Sequence, residues 1–242
     1  MATLKRFFVD NIGDTCILSG EEFEHAKNVL RLGVGDEVEL LDNSGKRYVA
    51  VICDVQKRQM TLNVLSVFQG DKEARTKVAL AFGYLKNADK NEFIVQKGVE
   101  LGVQKLVAFS SQYASAYMSD NKLERLNKVS KESAKQCLRD IYPAVTYADT
   151  LEKALDDLGE YENKLFACEF AENSEVDLSS LQGSTAIVVG SEGGFSKEEA
   201  EIAKAKGFAL VSLGKRILRA ETACVALTSV VMYSLGELGD KR

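Results

Sequence analysis

Two glycine-marked turns lie close together in the last quarter of this 242-residue chain. The first is Ala186-Ile-Val-Val-Gly-Ser-Glu-Gly-Gly-Phe-Ser196, and the second is Leu213-Gly-Lys-Arg-Ile-Leu-Arg-Ala-Glu-Thr-Ala223. Each follows an apolar, strand-like run and precedes a helical one. Backbone amides and the positive ends of helix dipoles converge at such junctions, and open α/β sheets bind their ligands there. One such turn is ordinary. Two in series, the second carrying Arg216, Arg219 and Glu221 into a helix, suit a small molecule gripped largely by backbone groups.

Several familiar chemistries fail on spacing. The chain has no Walker loop, no His-Glu-x-x-His and no complete Gly-x-Gly-x-x-Gly, since Gly33-Val-Gly35 lacks the third glycine. Ser191 directly follows Gly190, so there is no Gly-x-Ser-x-Gly elbow. Covalent serine catalysis also needs a base, and His25, the only histidine, falls in a different expected domain. The five cysteines are scattered without a Cys-x-x-Cys pair, which argues against a zinc site or a disulfide framework.

Composition allows a substantial core, with 45% hydrophobic residues. No apolar run reaches the roughly 20 residues that a membrane span needs, and the first residues lack a signal-peptide pattern, so a cytoplasmic protein is expected. The net charge of −5 is unevenly spread. Between Asp149 and Asp177 stand ten acidic residues against two lysines, which leaves the remainder of the chain basic. The overall charge therefore does not exclude a nucleic-acid partner.

Two domains are expected. Up to about residue 70, short β-rich runs such as Arg6-Phe-Phe-Val9, Tyr48-Val-Ala-Val-Ile-Cys53 and Met60-Thr-Leu-Asn-Val-Leu65 alternate with turn signals. A helix interrupts them, with Ser19 and Glu22 spaced as a capping box. Residues 1–72 thus read as a small β-barrel with one helix. In residues 73–242 strand and helix patterns alternate, which argues for an α/β domain with a mostly parallel sheet. Ser196 and Glu199 give a second capping-box spacing, directly after the first glycine turn. The last helix, from about Glu221 to Leu238, is apolar on more than one face, so it is either central or covered by a second subunit.

Val189-Gly-Ser-Glu-Gly-Gly-Phe-Ser196, Leu213-Gly-Lys-Arg-Ile-Leu-Arg219 and Glu221-Thr-Ala223 together resemble the signature of RsmE-type ribosomal RNA methyltransferases of the SPOUT superfamily. The likeness covers nearly the whole chain. Arg6-Phe-Phe-Val9 and His25-Ala-Lys-Asn-Val-Leu-Arg-Leu32 resemble that family's N-terminal barrel. Lys86, Gln96-Lys97, Glu100-Leu-Gly-Val103, Gln136, Arg139 and Pro143 fall where its catalytic domain has similar residues. Ser191 departs from the pattern, because the family usually has proline there.

The resemblance implies a PUA-like β-barrel that holds RNA, followed by a SPOUT-type α/β domain with a deep trefoil knot, a rare exception to unthreaded chains. It implies a homodimer whose sites take residues from both subunits; no metal and no membrane are expected, on the cysteine spacing and the apolar runs above. The implied reaction moves the methyl group of S-adenosylmethionine to N3 of a uridine in 16S rRNA of the small ribosomal subunit. Separately, an acidic chain with local basic patches suits an assembled subunit rather than naked rRNA as the substrate. Carried over residue by residue, the cofactor site comprises Cys168, Gly190, Glu192, Gly193, Leu213, Gly214, Ile217, Leu218 and Ala223. Arg219 would stabilise negative charge developing on the uracil ring, and Glu221 would orient that arginine or assist proton removal. An Arg219–Glu221 pair of purely structural use is the plain alternative.

For RNA the candidates are Arg6, Arg31, Lys86, Lys128, Lys131, Lys135 and Arg139. Arg125, Lys128, Lys131, Lys135 and Arg139 recur at helical intervals, a stripe that could follow phosphates or be a solvated face. Two rival readings are another SPOUT enzyme, acting on tRNA or a different rRNA atom, and a non-catalytic RNA-binding factor with the same fold. The barrel argues against the first, and the intact Arg219, Glu221 and glycine turns argue against the second.

Overall fold

The computed structural model describes residues 4–112, 117–171 and 174–239. These divide into two compact units, Met1–Glu73 with Ala134–Tyr142, and Ala74–Ser133 with Pro143–Arg242. Residues 134–142, expected in the second domain, therefore belong with the first.

The first unit holds β1 (Lys5–Phe8), β2 (Thr15–Ser19), β3 (Glu37–Leu41), β4 (Lys46–Val55) and β5 (Gln59–Gln69), in sheet order β1-β3-β4-β5-β2. Only the β1–β3 ladder is parallel. Period-two alternation sends Phe7, Leu18, Leu40, Ile52 and Leu62 into one core. The helix differs from its sequence expectation. Its α-helical part, α1, is only Gly20–Glu24, and a π-helical turn follows over His25–Val29, closed by Leu30 N–H donating to His25 C=O at 3.0 Å. Ser19 makes no side-chain cap bond, because Gly20 enters the helix at φ +60° and breaks the capping-box geometry. The wide turn also shifts the helical phase, so Phe23 and Ala26 are buried while Val29 faces solvent.

In the second unit, β6 (Val78–Gly83), β7 (Lys105–Phe109), β8 (Val145–Ala148), β9 (Asn163–Ala167), β10 (Thr185–Val189) and β11 (Ala209–Val211) form a parallel sheet in the order β11-β9-β10-β6-β7-β8. Central β6 and β10 are buried at every position, as continuous apolar runs in a sheet covered on both faces should be. The helices are α2 (Ala88–Glu100), α3 (Asp120–Cys137), whose last turn belongs with the first unit, α4 (Leu151–Asp157), α5 (Lys197–Ala205) and α6 (Ala220–Ser234). From edge strand β8 the chain crosses to β9, beyond β10, then returns to the centre before ending the sheet at β11. The order reverses between β6 and β10, and crevices at such switch points lie outside the carboxyl ends of the strands.

Two local features fix the loop that leaves β10. The expected capping box forms: Glu199 N–H donates to Ser196 Oγ at 3.1 Å and Ser196 N–H to Glu199 Oε2 at 2.8 Å. Glu199 Oε1 also accepts from Gln112 N–H at 2.8 Å, tying the same helix start to the segment after β7. Phe195 is buried, with its ring centroid 4.0 Å from that of Phe166. Ser196→Ala should cost about 1 kcal/mol, a fall of about 2–4 °C in Tm for a chain of this size, readable by thermal denaturation.

α6 ends at Ser234, earlier than the apolar pattern suggests, because Gly236 at φ +74° turns the chain and lets Glu237 N–H donate to Met232 C=O at 2.9 Å. Leu227, Val231 and Met232 are buried, whereas Val230 and Tyr233 are exposed.

Candidate functional site: a pocket between two glycine loops

A cavity of about 610 Å³ opens at the carboxyl ends of β9, β10 and β11, within the size range of small-molecule sites. Its walls come from both glycine-marked loops, from Ala167 at the end of β9 and Cys168 and Glu169 after it, from the start of α6, and from Lys90 of α2. The two motifs that stand out in the sequence are thus parts of one site.

The first loop is held close to the sheet. A Cβ on Gly83, at the end of β6, would lie 2.4 Å from Ser191 N and 2.9 Å from Gly190 C, so only glycine allows this backbone approach. Gly194 sits at φ +66°, and a side chain there would meet the Glu169 carboxylate at 3.2 Å. Ser191 is buried, with its hydroxyl 3.4 Å from Ser111 Oγ, and Gly194 N–H donates to its carbonyl at 3.0 Å. The turn therefore closes without a proline at this position.

Along the second loop, Leu213 and Leu218 are half-buried and Gly214 adopts φ +96°. Cys168 and Ala223 are buried, and burial raises the Cys168 thiol, which stays protonated and apolar in character. Gly190, Glu192, Leu213, Gly214, Ile217, Leu218, Cys168 and Ala223 all line the pocket. Gly193 is not among the lining residues, since the turn directs Gly194 inward in its place. Ile217 stands 87% exposed at the mouth, so its side chain forms no closed wall.

Arg219 is the N-cap residue of α6, extended at φ −65° and ψ 151°, and its side chain makes no cap bond. Helix starts prefer oxygen-bearing caps and disfavour cations, so helix stability does not explain an arginine here. Its side chain is exposed on the pocket wall. Glu221, one step inside the helix, lies in the same wall. No Arg219–Glu221 hydrogen bond or ion pair is present among the described residues. Instead Lys90 Nζ stands 3.1 Å from Glu221 Oε1, and Glu221 Oε2 is buried without a hydrogen-bond partner. Burial pushes the Glu221 carboxyl up, but its own backbone N–H, Lys90 and the Arg219 charge outweigh that and hold its pKa below the ordinary value. Glu221 is accordingly a carboxylate at neutral pH.

Sequence reading missed Lys90 and Glu169. Lys90 carried one usable signal, a cation in the first turn of a helix, where the dipole disfavours it.

The RNA candidates scatter. Arg31 and Lys86 are exposed, one in each unit, and Lys128 is exposed on α3 with Lys131 half-buried beside it. Arg6 is buried, paired with Glu39 and Asp140 and donating to Arg139 C=O at 3.1 Å. Arg139 is buried as well, with Nε 3.1 Å from Glu73 Oε2, and Lys135 Nζ lies 3.1 Å from Glu22 Oε2. These three are engaged inside the first unit rather than offered to phosphate. Arg125 of the expected stripe forms a two-pronged pair with Glu92, at 2.9 and 2.8 Å.

Comparison with known proteins agrees with this architecture. The model of an RNA methyltransferase domain matches residues 72–232, and that of an RNA methyltransferase PUA domain matches residues 18–65. Ribosomal RNA small subunit methyltransferase E of Bacillus subtilis is 29% identical over 95% of this chain and 96% of its own length. The protein of that name from Mesomycoplasma hyopneumoniae is 35% identical over 68% of this chain and 73% of its own. Ribosomal RNA small subunit methyltransferase E from Neisseria gonorrhoeae, solved bound to S-adenosyl methionine, superposes with a TM-score of 0.84 at 27% identity, covering 96% of this chain and 98% of that one. On a domain match over about two thirds of its length and relatives alike over most of it, the chain belongs to the ribosomal RNA small subunit methyltransferase E family, with an α/β methyltransferase domain behind a PUA-like one.

Proposed function

We propose that this protein transfers the methyl group of S-adenosylmethionine to N3 of a uridine in 16S rRNA of the small ribosomal subunit. The observation that carries the reading is the single pocket in which both glycine loops meet Arg219 and Glu221. The residues present fit such a donor: the glycines keep the walls free of side chains, and Leu213, Leu218 and Cys168 give apolar surface beside exposed backbone. When bound, S-adenosylmethionine supplies a methyl group activated on a sulfonium.

The chain's own residues do the rest. Gly190, Gly194 and the 213–218 loop hold the donor, and Arg219 stabilises the negative charge that grows on the uracil oxygens as N3 loses its proton. Glu221, ionised in the same wall, assists that loss. Arg31, Lys86, Lys128 and Lys131 remain the cations proposed for RNA, and phosphate contacts of this kind should make binding salt-dependent. The proposal includes a homodimer covering the exposed apolar residues Val230 and Tyr233 of α6, a knotted path around the pocket, and action in the cytoplasm on assembled subunits.

The test is transfer of labelled methyl from S-adenosylmethionine to small subunits lacking the modification, and to protein-free 16S rRNA, followed by nucleoside analysis. The expected product is 3-methyluridine, formed faster on assembled subunits. A methylated ribose or a different base would overturn the assigned atom, and faster reaction on naked RNA would overturn the assembled substrate.

A further inference from the structure

Lys90 lies far from both glycine motifs in sequence, yet it enters the same pocket. Its place is firmly held. Asn87 caps α2, its Oδ1 accepting from Asp89 N–H at 2.8 Å. Asn91, fully buried, donates to Leu85 C=O at 2.8 Å and Asn87 C=O at 3.0 Å and accepts from Leu85 N–H at 2.9 Å. The first turn of α2 is thus locked to Leu85, just past the end of β6, and Lys90 projects from it.

An ammonium in a first helical turn opposes the dipole, so this lysine does not serve its own helix. What it meets is Glu221, at 3.1 Å across the two helices, with the lysine side chain 27% and the glutamate side chain 15% exposed. Glu221 at the start of α6 is on the favourable end of that helix. An ammonium has three donors, and Glu221 Oε1 engages one. The other two have no protein partner among the described residues, at a point where the side chain borders the pocket.

Resting on the function proposed above, we infer that Lys90 is a second cationic donor beside Arg219 for the charge that develops on the uracil ring, and that Glu221 is the residue that positions it. The assignment gives Glu221 a partner in Lys90 rather than in Arg219, with which it forms no ion pair. It also explains why a helix outside the glycine motifs supplies a wall of the site. Fixed donors aimed at developing charge are the strongest single aid that a partly dry site offers.

The test compares wild type, Lys90→Gln and Lys90→Arg for S-adenosylhomocysteine affinity, kcat and KM, on small subunits reconstituted with uridine or with 5-fluorouridine at the target. The fluorinated base gives up its N3 proton more readily, so it needs less help from a cation. Lys90→Gln is expected to bind S-adenosylhomocysteine within a few-fold of wild type and to lose about 100-fold in kcat. It should regain much of that on 5-fluorouridine, and Lys90→Arg should recover part of it on uridine. A glutamine variant with wild-type kcat, or one whose loss is the same on both bases, would overturn the role of Lys90. A wild-type protein that binds S-adenosylhomocysteine yet methylates neither substrate would overturn the functional reading itself, and the Lys90 role with it. Should the glutamine variant not fold, Lys90→Arg on the two bases carries the same comparison.

Discussion

Arg219→Ala should lose about 100- to 1000-fold in methyl transfer while binding S-adenosylmethionine within a few-fold of wild type. The two halves of that expectation have separate structural causes. The side chain is exposed and makes no cap bond, so its removal leaves α6 and the pocket walls in place, and alanine keeps the N-cap backbone. The helix gains slightly from losing a cation at its positive end. Only an interaction made more strongly in the transition state is removed, and such a loss falls on kcat. Steady-state kinetics together with a calorimetric titration of the donor measures both. Near-wild-type turnover would take Arg219 out of the reaction, and loss of donor binding would make it a wall of the pocket instead.

Gly83→Ala should do the reverse, although Gly83 lies outside both glycine motifs. The added methyl would sit 2.4 Å from Ser191 N and 2.9 Å from Gly190 C, and those are backbone atoms that cannot swing aside as a side chain would. The loop must move as a body. It is held at its far end by buried Phe195 and by the Ser196–Glu199 box, so the displacement concentrates on residues 190–194, of which Gly190, Ser191, Glu192 and Gly194 line the pocket. We expect about 1–3 kcal/mol of lost stability from overpacking and at least a tenfold weaker hold on S-adenosylmethionine. Thermal denaturation with and without the donor reads both. An alanine variant with unchanged Tm and donor affinity would show that the contact between β6 and the loop is not what shapes the site.

The parts legible in the sequence were those whose causes are local. Ser196 and Glu199 need only each other and a helix start, and their box forms as spaced. The apolar runs of β6 and β10 announce strands buried on both faces, and the glycine turns mark where those strands end. The same local rule misleads at Ser19 and Glu22, because the positive φ of the intervening Gly20 depends on how the chain leaves β2, which spacing does not carry. Pairings between distant residues were hidden for a plainer reason. Nothing near Glu221 in the sequence points to Lys90, and nothing near Arg6, Lys135 or Arg139 points to Glu39, Glu22 or Glu73. The basic stripe left two readings open, phosphate contact or a solvated face, and spacing foretold neither the engagement of Lys135 and Arg139 nor that of Arg6 within the first unit. Gly193 and Gly194 are interchangeable on paper, and only the folded backbone, with Gly194 at φ +66°, shows which of them lines the pocket.

The most direct measurement is a crystal structure of the protein grown with S-adenosylhomocysteine. The account predicts the ligand in the cavity between the two glycine loops, touching residues 190–194 and 213–218, with Arg219, Glu221 and Lys90 on the wall beside it. A ligand bound elsewhere on the chain, or one in the cavity that leaves either loop untouched, would contradict it.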